Sequence, residues 1–367
     1  MVKSDYFVIN IDSFSISLYG IRIINKNVAR FYQAVQKHSG LKNNFFKNPE
    51  ELYYIMTNLV EDCRNKSGKC IDKIYLILPQ RFFRTKYSVE KMMLSEDKFI
   101  NKFDLEELIK NSYRQIEDCL SLTCTPIAYK IDEEYIDNPI GLATKEIELI
   151  ASTTGILAKV YELFIDMSKK INATFVFEPI MNVALKKLQK DYHLNRSSRV
   201  VILFNESSIN VCYCEMNAVI AMKTIELGQS DIVKALSAFY GINEISANEL
   251  YKHVNFNLQD GNYIINNGEI MAFDTIKTNN CVEKVIDILF QEIKNAIDAM
   301  IGNITLNIYM FGSNLCEKKG VERMMVKKME MPISVLKPKL LLWNTSADYA
   351  LVGLIESILL NAEDNNG

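Results

Sequence analysis

The chain has 367 residues, 49% hydrophobic and 24% charged, with a formal net charge of −3 and a pI near 5.8. That length suits two or more packed domains of an ordinary globular protein, and its interspersed charges give no reason to expect nucleic acid or an anionic membrane surface as a partner. Asp5, Asn10 and Asp12 break up the first apolar stretch and Glu356 interrupts the run 350–360, so neither an export signal nor a membrane span is expected.

In chain order, residues 6–11 and 15–21 alternate as two strands around a short turn, 28–36 reads as a third strand, and 48–63 has helical spacing. The continuous apolar run 71–78 suits a strand buried on both faces. From Phe82 onward a strand is followed by an amphipathic helix, with Leu105, Leu108, Ile109, Ser112, Ile116, Cys119 and Leu120 on one face. Strands at 126–131 and 144–152 complete a small β-α-β unit. A helix (156–169), a strand (173–177) and a helix (179–190) come next, and His193–Ser198 is a polar joint. The second half begins again with strands at 199–204, 209–215 and 219–226, then helices near 231–240 and 246–253. Two halves that each open with three strands suggest a duplicated α/β fold. A polar stretch, 255–280, precedes a long helix (281–300) and a strand (305–310).

Cys63, Cys70, Cys119, Cys124, Cys212, Cys214, Cys281 and Cys316 form no C-x-x-C pair, and only His38, His193 and His253 could add imidazoles. No metal site is expected. Cys212 and Cys214 read as small core residues of a reduced cytoplasmic protein. No nucleophile with a base in a recognisable context is present, so no catalytic residue is assigned.

The most telling segment is RVVILFNESSINVCYC, 199–214: an apolar strand, a turn of Asn205, Glu206, Ser207 and Ser208, and an alternating strand. It has the frame of the phosphate hairpin of actin-type ATPases, D-x-G-G-G-T-T-D, in which glycines admit phosphates to backbone N–H groups and aspartates manage Mg²⁺ and water. Other segments extend the likeness in the expected order: INKFDLEELIKNS, EYIDNPIGLATKEIEL with Asn138, Pro139 and Gly141, FEPIMNVALKKL, and IELGQSDIVKAL. Over nearly its whole length the chain resembles FtsA, the actin-like adaptor of bacterial cell division.

That resemblance implies an actin-like (ribonuclease H-like) two-lobed fold. The first lobe would be 1–81, 153–195 and 345–367, with a subdomain inserted at 82–152; the second would be 196–235 and 301–344, with a small subdomain at 236–300. In this alignment the nucleotide positions are degenerate. Asn10 replaces an aspartate of the first loop, beside Asp12 and Ser13; Leu203 and Asn210 replace those of the hairpin, and Asn205, Glu206 and Ser207 its glycines. Gly228 is kept but followed by Gln229, Ala235 replaces a further aspartate, and Gly312 is kept but followed by Ser313. If Asp12 and Glu206 face phosphates, repulsion of a few kcal/mol follows at an effective dielectric near 20. The same carboxylates could instead recruit ATP through Mg²⁺. The reading adopted is a pseudo-ATPase with no cofactor, working as a scaffold.

The family's groove for the FtsZ tail uses a helix with R-x-x-E-I; here Glu292 and Ile293 remain, Leu289 takes the arginine's place, and Lys284 and Lys294 are candidate basic contacts. The implied partners are an FtsZ-like or other division-protein tail and further copies of the chain, forming dimers or filaments through the insert, with some of Phe82, Phe83, Tyr87, Met92 and Met93 outward. No terminal amphipathic helix follows Leu360, so a cytoplasmic protein reaching the inner membrane face through a partner is expected, with no direct anchor. The alternatives are a PilM-like cytoplasmic component of type IV pilus assembly and an active ATP-binding actin-like filament protein.

Overall fold

The structure, a computed structural model, describes residues 3–24, 27–42, 45–95, 98–192, 197–302, 304–340 and 342–364. His193 lies outside them. The elements, in order, are β1 (Lys3–Ile11), β2 (Ser15–Ile24), β3 (Asn27–Lys37), the two-residue strands β4 (Leu41–Lys42) and β5 (Phe45–Phe46), α1 (Pro49–Ser67), β6 (Lys73–Leu78), β7 (Phe83–Met93), α2 (Lys102–Ser112), β8 (Cys119–Ile131), β9 (Glu134–Ile136), β10 (Glu146–Leu157), α3 (Ala158–Ile171), β11 (Thr174–Pro179) and α4 (Ile180–Tyr192). Then follow β12 (Ser198–Phe204), β13 (Ile209–Glu215), β14 (Ala218–Ile225), α5 (Gln229–Tyr240), α6 (Glu244–His253), β15 (Asn262–Asn266), β16 (Ile270–Asp274), α7 (Thr275–Ile301), β17 (Asn307–Gly312), α8 (Val321–Met329), β18 (Ile333–Val335) and α9 (Tyr349–Asp364). They form two compact units: one of 1–197, 214–221 and 353–367, the other of 198–213 and 222–352.

In the first unit the strand order is β11-β6-β1-β2-β3, with β1 and β11 parallel to β6 and β1, β2 and β3 antiparallel. Helix α1 shows how the sequence specifies such an element. Asn48 accepts the Glu51 N–H as N-cap, Pro49 opens the helix with its preset φ, and Gly68 ends it at φ 64°. Leu52, Ile55, Met56, Leu59, Val60 and Cys63 recur every three or four residues and are all buried, each contributing about 1.5–3 kcal/mol of transfer free energy where aliphatic. They join Phe46, Phe82, Phe83 and Phe164 in one core. Of the five residues from which outward-facing ones were expected, Phe82 and Phe83 are fully buried, whereas Tyr87 and Met93 are exposed.

The insert is a four-stranded sheet, β7-β10-β8-β9, carrying α2 over a core of Leu105, Leu108, Tyr129, Ile131, Ile147 and Leu149. Helix α2 opens with a reciprocal cap between Asn101 and Asp104 and stops at Ser112. The expected helical face through Ile116, Cys119 and Leu120 does not exist, because 119–131 pairs with β10 as an antiparallel strand. The spacing there fits both periods, and β10 offers backbone partners that a free helix end would lack.

The second unit has the order β14-β13-β12-β17-β18 and one core that extends from Val200 and Ile202 through α5, α6 and α7 to Met325 on α8. The polar stretch 255–280 contains the β15–β16 hairpin and the first turns of α7, which begins at Thr275, ahead of the expected start at Cys281, because the Asp274 side chain accepts the Lys277 N–H.

Candidate functional site

In the first unit the parallel strands β1, β6 and β11 end together. Asn10 pairs with Ile77 and Ile77 with Glu178, so the two polar residues stand at one level, two strands or about 10 Å apart. Carboxyl ends of parallel strands are where open α/β sheets hold ligands. Burial pushes the Glu178 carboxyl up, opposed by the weaker pull of Lys186 and Lys73. Gln80 is fully buried; its Oε1 accepts the Met181 N–H at the start of α4, while its Nε2 and the Asn10 Oδ1 are buried without a hydrogen-bond partner.

The adjoining β1–β2 turn is closed on itself. The Asp12 N–H donates to the Ser15 carbonyl at 2.8 Å, and the Ser13 N–H to Asp12 Oδ1 at 2.7 Å. Burial pushes the Asp12 carboxyl up, against the pull of the Ser13 N–H and of His38. His38 Nδ1 accepts the Gly40 N–H at 3.0 Å, which fixes the tautomer, so Nε2–H donates to the Asp12 carbonyl, also at 3.0 Å. Gly40 is at φ 93°, and a Cβ there would lie 2.5 Å from the Phe14 ring.

Burial lowers the His38 pKa, with Asp12 and Glu51 opposing. The folded value is depressed, so between it and the ordinary pKa of about 6.5 the unfolded chain binds the extra proton. Stability is therefore expected to fall as pH drops below that value, by at most about 1.4 kcal/mol per pH unit from this group. Urea unfolding from pH 7.5 to 5.5 should show a flatter pH dependence for His38→Gln than for the parent. Parallel profiles would contradict the assignment.

In the second unit the β12–β13 hairpin turns through Asn205–Ser208, with the Asn205 N–H on the Ser208 carbonyl at 2.9 Å. Leu203 is buried in the core, so the position of the hairpin's first aspartate is apolar and enclosed. Asn205 Nδ2 donates to Asn210 Oδ1 and Asn210 Nδ2 to Thr224 Oγ1, at 3.2 and 2.9 Å. Glu206 is exposed and Ser207 half-buried at the turn. Gly228 packs on this turn: a Cβ there would lie 2.6 Å from the Glu206 carbonyl oxygen. The Gln229 and Ser230 N–H groups of α5 donate to the Asn205 and Glu206 carbonyls, and the Gly228 N–H to the Asp231 carboxylate. On β17 the Gly312 N–H donates to Ser346 Oγ, and the Ser313 N–H to the Phe204 carbonyl.

Lys284, Glu292 and Lys294 all lie on α7, where about 200° of helical rotation puts Glu292 and Lys294 on different faces, with Lys284 about 80° from each. A different surface collects charge. Two adjoining cavities of about 730 and 560 Å³ flank the start of α8 and share Asn257, Gly320 and Arg323. Lys318 borders the second cavity: its ammonium donates to the Tyr251 and Lys252 carbonyls at the end of α6, and burial lowers its pKa to about 8. Lys328 is paired with Glu283 and Asp287, and Lys337 with Glu317. Among the described residues the Lys319, Arg323 and Lys327 side chains have no ion pair, against one such carboxylate lining the cavities, Glu322; Leu258, Ile276 and Val326 add exposed apolar surface.

Sequence reading missed Glu178, Gln80, His38 and Thr224. The E-P pair was visible, but nothing local shows that Glu178 ends a strand level with Asn10. The residues around the hairpin do not suit a magnesium nucleotide. The hairpin's carboxylate positions in the alignment above hold Leu203 and Asn210, and the N–H groups of Asn205, Gln229 and Ser230 already donate to carbonyls of the same unit.

No protein-family model and no curated protein matches the sequence. Solved structures do. The PilM–PilN type IV pilus biogenesis complex aligns with a TM-score of 0.63 at 9% identity, over 96% of this chain and 97% of that one. The ethanolamine utilization protein EutJ from Carboxydothermus hydrogenoformans aligns with 0.53 at 9% identity, over 96% and 89%. MreB5 of Spiroplasma citri bound to AMPPNP aligns with 0.52 at 8% identity, over 98% of each chain. With its mixed sheets and flanking helices, the chain has the actin-like ATPase fold.

Proposed function

We propose that this protein is a non-hydrolysing scaffold of the actin-like fold that holds the acidic, apolar tail of a partner in the groove at α8. The observation that carries the reading is the charge of that groove, where Lys319, Arg323 and Lys327 remain without ion pairs in a chain of net charge −3. The FtsA-type division adaptor is supported by the ordered motifs around Asn138, Pro139 and Gly141. A PilM-type pilus role is supported by the likeness to the PilM–PilN complex. Both would act from the cytoplasm and reach the membrane through a partner. Among the described residues no helix is long and apolar enough to cross a membrane.

Fluorescence anisotropy with a labelled peptide of alternating Glu and Leu tests the groove. Arg323→Glu with Lys327→Glu is expected to weaken binding at least about tenfold, since each lost charge contact is worth on the order of 1 kcal/mol and more when desolvated. Binding that ignores both the variant and added salt would sink the reading. Phosphate release from ATP above the buffer rate would sink the non-hydrolysing part separately.

Self-association is the second half of the proposal. Among the exposed apolar residues of the insert, Met93, Phe99 and Phe103 are the most exposed, at 71, 68 and 79%, and Tyr87 is exposed as well. The isolated β-bridge between Phe99 and Ala143 ties the segment before α2 to the one before β10. Sedimentation velocity without nucleotide should show concentration-dependent assembly that Phe99→Ser with Phe103→Ser abolishes. A parent chain that stays monomeric at high concentration contradicts it.

A further inference from the structure

The second unit carries more than a loss of carboxylates. Where an actin-type fold needs glycines, Gln229 and Ser313 each put a side chain beside the hairpin. Their own backbone N–H groups bind the adjacent carbonyls, Gln229 that of Asn205 at 3.2 Å and Ser313 that of Phe204 at 2.7 Å. Gln229 is 8% exposed, and its Oε1 and the Ser313 Oγ are both buried without a hydrogen-bond partner. Buried polar atoms of this kind have left water without gaining a protein partner.

The backbone around them is equally enclosed. Gly228 and Gly312 are tight against carbonyl oxygens, where an added Cβ would meet Glu206 at 2.6 Å and Phe204 at 2.0 Å. The positive end of α5, an anion site by its dipole and its unsatisfied N–H groups, is taken by two peptide carbonyls and the Asp231 carboxylate. Asn205, Asn210 and Thr224 form a neutral hydrogen-bond chain where metal-binding carboxylates would be needed.

We propose that this unit has exchanged its phosphate surface for an internal plug. The backbone N–H groups of Gln229, Ser230 and Ser313, on the carbonyls of Asn205, Glu206 and Phe204, hold the hairpin, α5 and β17 together without a ligand, and the side chains of Gln229 and Ser313 close the junction to polyphosphates. This is independent of the groove at α8, whose peptide binding can fail or succeed without bearing on it.

The full-length protein is titrated calorimetrically with Mg-ATP and with magnesium pyrophosphate, and amide hydrogen exchange is followed with and without each. The expected result is no binding heat at millimolar ligand, and protection at Gln229, Ser230 and Ser313 that is already complete in the free protein. A micromolar dissociation constant, or rapid exchange at these amides that Mg-ATP suppresses, would overturn the plug. The double variant Gln229→Gly, Ser313→Gly, checked for native circular dichroism, is expected to bind pyrophosphate at least tenfold more tightly than the parent. If its affinity is unchanged, the two side chains are not the closing element; if it fails to fold, Ser313→Gly alone is held to the same criterion.

Discussion

Replacing Gly312 with alanine is expected to destabilise the second unit by about 3 kcal/mol or more, the largest single effect foreseen at the hairpin. Gly312 is at φ 118°, which L side chains rarely adopt, and a Cβ would lie 2.0 Å from the Phe204 carbonyl oxygen. Backbone strain of this kind costs on the order of 1–3 kcal/mol, and overpacking against a neighbouring strand adds a similar amount. The obstacle is a strand, since β12 and β17 are paired from Arg199–Asn307 to Phe204–Gly312. Relief would require the end of that ladder to open, with loss of the bond between the Ser313 N–H and the Phe204 carbonyl. Ser313→Ala, one residue on, should change stability by less than about 1 kcal/mol, since its hydroxyl has no partner to lose. Urea denaturation of both variants checks the contrast, and equal midpoints would refute it.

Phe164→Ala should cost the first unit about 3–5 kcal/mol, the range for truncating a buried phenylalanine. The Phe164 ring is fully buried on α3, with ring centroids 5.9, 6.4 and 6.2 Å from those of Phe46, Phe175 and Phe177. It therefore joins the β4–β5 ribbon, α3 and β11, whose far end carries Glu178. Offset and edge contacts of this kind add to the area buried, and the rigid sheet beside them limits collapse into the cavity. Phe164→Leu, which keeps most of the volume, should lose roughly 1.5 kcal/mol or less. Thermal unfolding of the two variants distinguishes them; a drop for alanine no larger than for leucine would show that the cavity collapses.

The hairpin at 199–214 was legible because period-two alternation and a cluster of turn residues are both local properties of the chain. The helix expected through Cys119 and Leu120 was not, since spacing that fits both a helix and a strand is decided by the neighbour that is present. Here β10 supplied it. Which of Phe82, Phe83, Tyr87, Met92 and Met93 face outward was not legible for a related reason: burial depends on what packs over them, and the residues covering Phe82 and Phe83 include Phe46 and Phe164, far off in sequence. The resemblance to FtsA reached the fold correctly, whereas the separation of Glu292 from Lys294 about the axis of α7 is not something that a one-dimensional alignment displays.

The amino-acid sequence by itself determined the α/β construction, the caps of helices such as α1, and the neutral character of Asn10, Leu203, Asn205 and Asn210. Each follows from residue type and short-range spacing, through steric limits on φ, hydrogen-bonding capacity and charge. Only the tertiary structure decided that Glu178 stands level with Asn10, that Gln229 and Ser313 flank one hairpin, and that Arg323 and Lys327 line a cavity that Leu258 and Ile276 also line. Those residues lie tens to more than a hundred positions apart. Strand pairing and the burial of apolar faces bring them together, and both are properties of the whole folded chain rather than of any segment.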